Sequence, residues 1–319
     1  MFDNKDKRIL SELLLDARIS LTKLAKRTQV SREVVAYRIK RLEEQKTIQG
    51  YYALINYTAL GYSRQVIFLA FKGVTAEQEA NIILHLAQHE YVTYMSTIIG
   101  KWNVVLDIVT ENQVLLEKVF HEILQPIEKH LSNFLLINTT IRGEFYPTKF
   151  LGITTKHNVP SETKYYELDA VDKQLLQELS TNARAEYTML AKTTGLPATT
   201  VAFRIKRLQK NNILLGSTMS IDYKQFGWDF YNIQLKMQQK QIKKFFSFVS
   251  EHPNTVFYYE YLGHESWDLD VGIIVQNTQE LQRVVNEIKE KFGDELRIQN
   301  MYAIGTLIKD NMIPPGILK

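Results

Sequence analysis

The chain has 319 residues, a length that predicts two or more domains. Hydrophobic residues make up 45% and charged residues 23%, which excludes disorder along the whole chain, and the absence of cysteine excludes disulfides, thiolate metal sites and a cysteine nucleophile. The net charge of +4 does not by itself identify a nucleic-acid partner, so the distribution of charge along the chain has to decide.

Three helices are predicted in the first fifty residues. Apolar residues recur at helical spacing in residues 3–16. Ser20 or Thr22 can begin a short second helix, and Ser31 is a suitable N-cap for a third helix that runs to about residue 45. Two short helices joined by a tight turn, the second with a basic outer face, are typical of a helix-turn-helix.

The third helix has two distinct faces. Its apolar stripe consists of Val35, Ile39 and Leu42. The side chains predicted to point away from that stripe are Glu33, Ala36, Tyr37, Lys40 and Arg41.

Strands and helices alternate in the next hundred residues. The predicted elements are a strand at 65–71, a helix at 75–89, strands at 91–99 and 102–109, a helix at 112–130 and a strand at 134–141. This order is that of a ferredoxin-like βαββαβ unit. Such a sheet has helices on one face only, so we expect its bare face to pack against a second sheet.

The same elements recur in the second half of the chain. Residues 6–50 match residues 172–216 without a gap, and 20 of the 45 positions are identical. The second ferredoxin-like unit is predicted from strands at 231–237, 255–262, 268–275 and 296–307 and helices at 241–251 and 278–292. A tandem duplication of a helical head and a larger body explains this pattern.

The repeated motif resembles the Lrp/AsnC family of transcriptional regulators. The residues that carry the resemblance in the first repeat are Asp6, Ile9, Leu10, Leu13, Ala17-Arg18-Ile19-Ser20, Leu24-Ala25, Val30-Ser31, Val35, Arg38-Ile39-Lys40-Arg41-Leu42, Ile48-Gln49-Gly50-Tyr51 and Leu60-Gly61. The second repeat matches through Asp172, Leu190-Ala191, Gly195-Leu196, Val201, Arg204-Ile205-Lys206-Arg207-Leu208, Leu214 and Gly216. Members of the family usually have one head and one body and form dimers, so the resemblance implies two fused subunits.

The predicted fold is α+β, with two winged or helix-turn-helix heads and two ferredoxin-like sensing domains arranged as an internal pseudo-dimer. The predicted boundaries are 1–50 and 168–216 for the heads, 51–149 and 217–319 for the bodies, and 150–167 for the linker. Further association of whole chains through the bodies is left open.

Positive charge is concentrated in the heads. Residues 1–50 carry 12 Lys and Arg against 7 Asp and Glu, and residues 168–216 carry 7 against 4. The rest of the chain is therefore net negative, a distribution expected of a protein that binds duplex DNA. The predicted DNA-contacting residues are Ser31, Arg32, Glu33, Tyr37, Arg38, Lys40 and Arg41 in the first head and Thr199, Phe203, Arg204, Lys206 and Arg207 in the second.

Two features of these heads leave alternatives open. Arg38 and Arg204 lie beside the apolar stripe, so each can contact a phosphate or form an ion pair with Asp6 or Asp172. The heads also differ, because Arg32-Glu33 corresponds to Ala198-Thr199 in the second repeat. We therefore expect DNA half-sites of different sequence, spaced by about one helical turn of roughly 34 Å or a multiple of it.

The bodies contain a turn that resembles the family's Gly-x-aromatic-Asp turn, where amino acids or related metabolites bind. The residues of the predicted effector site are Gly100, Trp102 and Asn103 in the first repeat and Gly263, Trp267 and Asp268 in the second. Asp268 retains a carboxylate that can pair with an amino group, whereas Asn103 does not. The alternative is that both tryptophans simply fill the core.

Other function classes are weighed against a DNA-binding regulator. Siroheme decarboxylases share the head-and-body architecture and would need basic side chains, notably histidine, in a pocket between the bodies, where only His264 is a candidate. A ligand-independent architectural DNA-binding protein is the third possibility. No metal-ligand spacing, phosphate loop or nucleophile motif is present, so no metal, cofactor or enzymatic activity is expected.

The expected location is cytoplasmic. No window approaches about 18 uninterrupted apolar residues, so no membrane span is predicted. The N-terminal residues are charged and lack the apolar core of a signal peptide.

Overall fold

The computed structural model describes residues 2–145, 149–152, 157–158, 164–262, 267–311 and 316. Part of the predicted linker, at 153–156 and 159–163, lies outside the described residues, as do Gly263 and His264. No described helix is long and apolar enough to cross a membrane.

The first head consists of α1 (Asn4–Leu15), α2 (Leu21–Thr28) and α3 (Arg32–Glu44), followed by strand β1 (Ile48–Ile55). Each helix begins at a side-chain cap. The Asp3 carboxylate accepts a hydrogen bond from the backbone of Asp6 at 2.8 Å, and Ser20 and Ser31 cap α2 and α3 in the same way. Short polar caps and the apolar stripes between them therefore determine where the three helices begin and which faces they bury.

The first body follows the predicted βαββαβ order. Its elements are β2 (Ser63–Phe71), α4 (Ala76–Gln88), β3 (Val92–Ile99), β4 (Val104–Thr110), α5 (Gln113–Leu124) and β5 (Leu131–Phe145), and a short β6 (His157–Asn158) pairs with the end of β5. The second predicted helix is shorter than expected: α5 ends at Leu124 and a 3-10 segment follows, because Pro126 cannot continue the α-helical hydrogen bonds.

The second repeat has the same elements in the same order. They are α6 (Ala170–Thr181), α7 (Tyr187–Thr194), α8 (Ala198–Lys210), β7 (Leu214–Ile221), β8 (Asp229–Met237), α9 (Gln239–Glu251), β9 (Thr255–Leu262), β10 (Leu269–Val275), α10 (Thr278–Phe292) and β11 (Leu296–Asp310). The predicted α+β fold with two helix-turn-helix heads and two ferredoxin-like bodies is thus confirmed.

The two body sheets close into one eight-stranded barrel. The sheets have the orders β5-β2-β4-β3 and β11-β8-β10-β9, and β3 pairs with β11 while β5 pairs with β9. Full closure leaves the eight strands without a free edge. The expectation that the two bare faces pack together is met, but the hydrogen bonding between the sheet edges was not predicted.

Aromatic side chains fill one part of the barrel interior. The Phe68 ring lies 5.9 Å from Trp102, 6.1 Å from Trp267 and 5.8 Å from Tyr302. Both tryptophans are buried. They belong to one apolar cluster between the two sheets.

The two heads are joined by an antiparallel ribbon of β1 and β7, in which Tyr52 lies opposite Thr218. Each strand completes the core of the other repeat's head. Met219 and Ile221 of β7 pack into the first head, whereas Ala53 and Ile55 of β1 pack into the second. The predicted boundaries at residues 50 and 216 fall inside these two strands. Neither strand was predicted, because its eight residues do not alternate clearly between apolar and polar side chains.

Gly272 occupies a position in β10 that has no room for a side chain. An ideal Cβ there would lie 2.3 Å from the Phe257 ring and 2.9 Å from the Phe230 ring. We expect Gly272→Ala to lower the free energy of unfolding by about 1–3 kcal/mol, because the rings must leave their packed positions. Urea unfolding measures this change, and Gly50→Ala, at a strand glycine that also lacks a positive φ and has no atom within 4 Å of the added Cβ, controls for the loss of a glycine. Equal stability of Gly272→Ala and the unmodified protein would contradict the packing described.

Candidate functional site

The exposed faces of α3 and α8 share an aromatic side chain and a lysine at equivalent positions. Tyr37 and Phe203, at equivalent positions, are each 67% exposed. The predicted DNA-contacting side chains that are exposed are Ser31, Arg32, Glu33, Tyr37, Lys40, Thr199, Phe203 and Lys206. Ser31 also accepts a hydrogen bond from the backbone of Val34 at 3.3 Å, whereas Pro197 begins α8 without a side-chain cap.

In each head a buried carboxylate holds two arginines of the third helix, which is α3 in the first head and α8 in the second. Arg38 Nη1 lies 2.8 Å from Asp6 and Arg41 Nη2 lies 2.7 Å from it, while Asp6 is 1% exposed. Arg38 also pairs with Asp3 at 2.8 Å. The hydrogen bond from the Asp6 backbone and the Arg38 guanidinium together hold the pKa of Asp3 below its ordinary value.

The second head repeats this arrangement. Arg204 lies 2.9 Å and Arg207 2.6 Å from Asp172, and Arg204 also pairs with Asp169. Of the two roles considered for Arg38 and Arg204, the structure shows the ion pair. We expected Arg41 and Arg207 to point outward, but their guanidinium groups reach inward to Asp6 and Asp172. A buried carboxylate requires charged partners, and these long side chains can reach it.

A reciprocal contact joins the two heads, and sequence reasoning missed it. Arg184 Nη1 donates to the Ala17 carbonyl at 2.6 Å, and Arg18 Nη1 donates to the equivalent Ala183 carbonyl at 2.5 Å and to the Ala185 carbonyl at 2.9 Å. The guanidinium of Arg18 also lies 5.0 Å from the centre of the Tyr187 ring. The recurrence of Ala-Arg at the same position of both repeats was the only signal in the sequence.

The turn between β3 and β4 holds Asn103 in a structural role. Asn103 Oδ1 accepts from the backbone of Phe71 at 2.9 Å, and its Nδ2 donates to Glu79 at 3.1 Å. Gly100 directly precedes Lys101, whose ammonium lies 4.9 Å from the Trp102 ring centre. Of the predicted effector-site residues in the first repeat, Asn103 forms hydrogen bonds through both its side-chain oxygen and its side-chain nitrogen, and Trp102 is buried.

The equivalent turn of the second repeat places Asp268 differently. Its carboxylate lies 3.3 Å from Lys236 Nζ, and its other oxygen, Oδ1, is buried without a hydrogen-bond partner within the described part of the chain. Trp267 is buried beside Tyr261, with ring centres 5.2 Å apart. Gly263, the third predicted effector-site residue of this repeat, falls outside the described residues.

The barrel interior also contains charged side chains that the sequence analysis did not identify. Arg64 pairs with Asp107 at 2.6 Å, and Asp270 accepts hydrogen bonds from Asn232 at 3.1 Å and Tyr302 at 3.3 Å. All seven residues of β4 and all seven of β10 are buried. These strands therefore show no alternation of buried and exposed residues from which the inward direction of the carboxylates could be predicted.

Comparison with known proteins matches both heads to one domain type. The AsnC-type helix-turn-helix domain matches residues 2–43 and 168–209. The uncharacterized HTH-type transcriptional regulator PH1916 of Pyrococcus horikoshii is 31% identical over 125 residues, which cover 37% of this chain and 80% of that regulator. The HTH-type transcriptional regulator LrpA of the same organism is 46% identical over 63 residues, which cover 20% of this chain and 45% of LrpA.

A solved structure shares the whole architecture. The siroheme decarboxylase NirDL superposes with a TM-score of 0.65 and 11% sequence identity, covering 98% of this chain and 94% of that chain. At this identity the similarity shows the fold alone. The arrangement of two heads and two bodies therefore also occurs in a protein of very different sequence.

Proposed function

Because this chain belongs to the Lrp/AsnC family of transcriptional regulators, we propose that its two heads bind one DNA duplex in a sequence-specific manner. The N-terminal parts of α3 and α8 would enter successive major grooves, and Lys40 and Lys206 would contact phosphates. The observation that carries the proposal is the pair of exposed aromatic side chains, Tyr37 and Phe203, at the same position of both recognition helices.

The heads would approach DNA as a fixed pair. The β1–β7 ribbon and the contacts of Arg18 and Arg184 join them directly, so their separation does not depend on a flexible tether. Their surfaces differ where Arg32 and Glu33 of the first head correspond to Ala198 and Thr199 of the second. We therefore expect the two half-sites to differ in sequence, and identical palindromic half-sites in a footprint would argue against this.

Removing one exposed lysine from each recognition helix tests phosphate contact. Lys40→Ala with Lys206→Ala is expected to weaken binding to the duplex upstream of the gene that encodes this chain and to reduce the slope of log K against log salt by about 2. Fluorescence anisotropy between about 50 and 200 mM salt measures both quantities. Lys289→Ala, which removes an exposed lysine from α10 of a body, is the matched control and should leave the slope unchanged.

The same assay separates the proposal from its alternatives. A shuffled duplex of equal length should bind more weakly than the native one. Equal affinity for both would favour an architectural DNA-binding protein. No binding to either duplex at low salt would contradict DNA binding altogether and would direct attention to a catalytic role on the fold shared with the siroheme decarboxylase.

We also propose that a small-molecule effector, of the amino-acid type associated with the family, binds near the second body turn. Asp268 is the better candidate of the two turns, since its buried Oδ1 atom can accept a hydrogen bond from an ammonium group. Asn103 is already engaged with Phe71 and Glu79. An effector would regulate DNA binding only if it bound differently to two arrangements of the chain.

A further inference from the structure

The outer faces of the two recognition helices, α3 and α8, each carry one exposed aromatic ring. Tyr37 lies two residues from Val35 and two from Ile39, which is about 200° around the helix from each of them. Val35 is fully buried and Ile39 is 6% exposed, whereas Tyr37 is 67% exposed. Phe203 is equally exposed and stands in the same way between two buried residues of the α8 stripe. Both rings therefore point away from the head cores.

The arginines in the middle of the two helices are engaged elsewhere. Arg38 and Arg41 of α3 are held by Asp6, and the equivalent pair of α8 is held by Asp172, at distances of 2.6–2.9 Å. These guanidinium groups fix the helices to the head cores. Recognition of base edges is thereby left to other side chains of the outer faces.

The exposed polar side chains at the start of the two helices differ. Arg32 and Glu33 of α3 correspond to Ala198 and Thr199 of α8. Hydrogen bonds from its own backbone and from Ser31 lower the pKa of Glu33, so its carboxylate is engaged at the helix start. These positions can distinguish one half-site from the other, but they do not supply a reader that both helices share. Among the exposed side chains, the shared ones are the ring and a lysine three residues after it.

One base presents an apolar group in the major groove. Adenine, guanine and cytosine offer hydrogen-bonding groups at that edge, whereas thymine has a C5-methyl group beside its O4 atom. A ring pressed against a polar edge removes water from groups that it cannot replace as a partner, which is unfavourable. Against a methyl group the same ring gains apolar contact. An aromatic side chain on a recognition helix therefore favours thymine.

The surroundings of the two rings favour duplex DNA as their partner. Lys40 and Lys206 are exposed about one helical turn after the rings, and both heads carry a net positive charge. A phosphate bound by such a lysine would hold the helix in register with the base edges. Apolar wedges that insert between base pairs act from the minor groove. A helix in the major groove instead presents its ring to the edges of the bases.

We propose that each recognition helix reads one thymine through its ring, Tyr37 in one half-site and Phe203 in the other, by contact with the C5-methyl group. The inference rests on the proposed binding of duplex DNA by the heads. The contact needs the ring but not the tyrosine hydroxyl, which Phe203 lacks. The two half-sites thus share a thymine at the equivalent position, although they differ in sequence elsewhere.

Removal of single methyl groups from the DNA tests the contact. Selection from random-sequence duplexes with the unmodified protein provides a tightly bound duplex. Each of its thymines is then replaced in turn by deoxyuridine, which lacks the methyl group and keeps the hydrogen-bonding edge. Fluorescence anisotropy at one fixed salt concentration measures the affinity. One replacement in each half-site should weaken binding about fourfold, which corresponds to about 0.8 kcal/mol for one buried methyl-sized group. Replacements outside the half-sites should have no effect.

Variants of the protein assign each thymine to its ring. Tyr37→Ala should abolish the effect of deoxyuridine in one half-site, and Phe203→Ala should abolish it in the other, because the methyl group then has no ring to contact. Tyr37→Phe keeps the ring and should retain the effect. Tyr165→Ala removes a ring that is 72% exposed but lies outside the heads, so this matched control should bind every duplex as the unmodified protein does.

The outcomes separate this inference from the function on which it rests. Equal affinity for the selected duplex and a shuffled one would overturn sequence-specific binding by the heads, and the thymine contact with it. A preferred duplex that tolerates deoxyuridine at every position would overturn the thymine contact alone. A deoxyuridine effect that survives both alanine variants would do the same. Loss of the effect in Tyr37→Phe would assign recognition to the hydroxyl instead of the ring and would equally contradict the proposal.

Discussion

Replacing Asp172 with alanine is expected to lower the free energy of unfolding by about 3 kcal/mol. Asp172 is 1% exposed and is the shared partner of Arg204 at 2.9 Å and Arg207 at 2.6 Å. Its removal leaves two guanidinium groups next to the head core without their buried counter-charge, a change that typically costs several kcal/mol. The partial exposure of both arginines reduces this figure, since water can solvate them in part.

Urea unfolding followed by circular dichroism measures the effect of Asp172→Ala. Glu44→Ala is the matched control, because Glu44 also forms an ion pair with a basic side chain, Lys40, but both groups are well exposed and 3.8 Å apart. Its removal should change stability by less than about 0.5 kcal/mol. A result for Asp172→Ala as small as that of the control would show that the arginines do not need this carboxylate.

The second large effect is a pH dependence of stability caused by Asp270. Burial raises its pKa from the ordinary 3.8 to about 7, against the hydrogen bonds from Asn232 and Tyr302, which lower it. As the pH rises from 4 to 7, the unfolded chain releases this proton while the folded chain retains it, so folding becomes less favourable. The loss amounts to at most about 4 kcal/mol and is complete above pH 7.

Asp270→Asn should remove this dependence. The variant is expected to be more stable than the unmodified protein at pH 8, with the difference shrinking towards pH 4.5, where aspartate is protonated in the folded protein. Urea unfolding at pH 4.5, 6, 7 and 8 gives the comparison. Asp310 titrates in the same range, because burial and the charge of Asp107 raise its pKa, so some dependence will remain in the variant. Parallel curves for the two proteins would show that Asp270 is not protonated in the folded state.

The heads were the most predictable part of the chain. Their helices depend on contacts a few residues apart, such as the caps at Ser20 and Ser31, and on a regular apolar stripe, so local sequence contains the information. The ion pair of Arg38 with Asp6 was one of two roles that its place beside the stripe left open, the other being a phosphate contact. The inward direction of Arg41 did not, because a helical wheel gives the direction of Cβ but not of a long side chain.

The pairing between the repeats could not be predicted. Tyr52 and Thr218 of the ribbon, or Ile98 and Ile304 at the barrel seam, are well over one hundred residues apart, and nothing near either strand specifies its partner. The buried carboxylates of the barrel interior were missed for a related reason. Asp107 lies in a strand that is buried on both faces, so the sequence pattern does not show whether its carboxylate points into the barrel or towards the helices.

The covalent joining of the two repeats has a consequence for how the barrel can change. In a dimer of identical subunits every substitution occurs twice, so an acid introduced into the closed interior would meet its own copy across the symmetry axis. In this chain Asp107 occurs once. When Trp102 is aligned with Trp267, its counterpart is Gly272, whose missing side chain leaves space for the rings of Phe257 and Phe230. Fusion therefore lets one side of a shared interior acquire charge while the other side keeps the packing that holds the barrel closed.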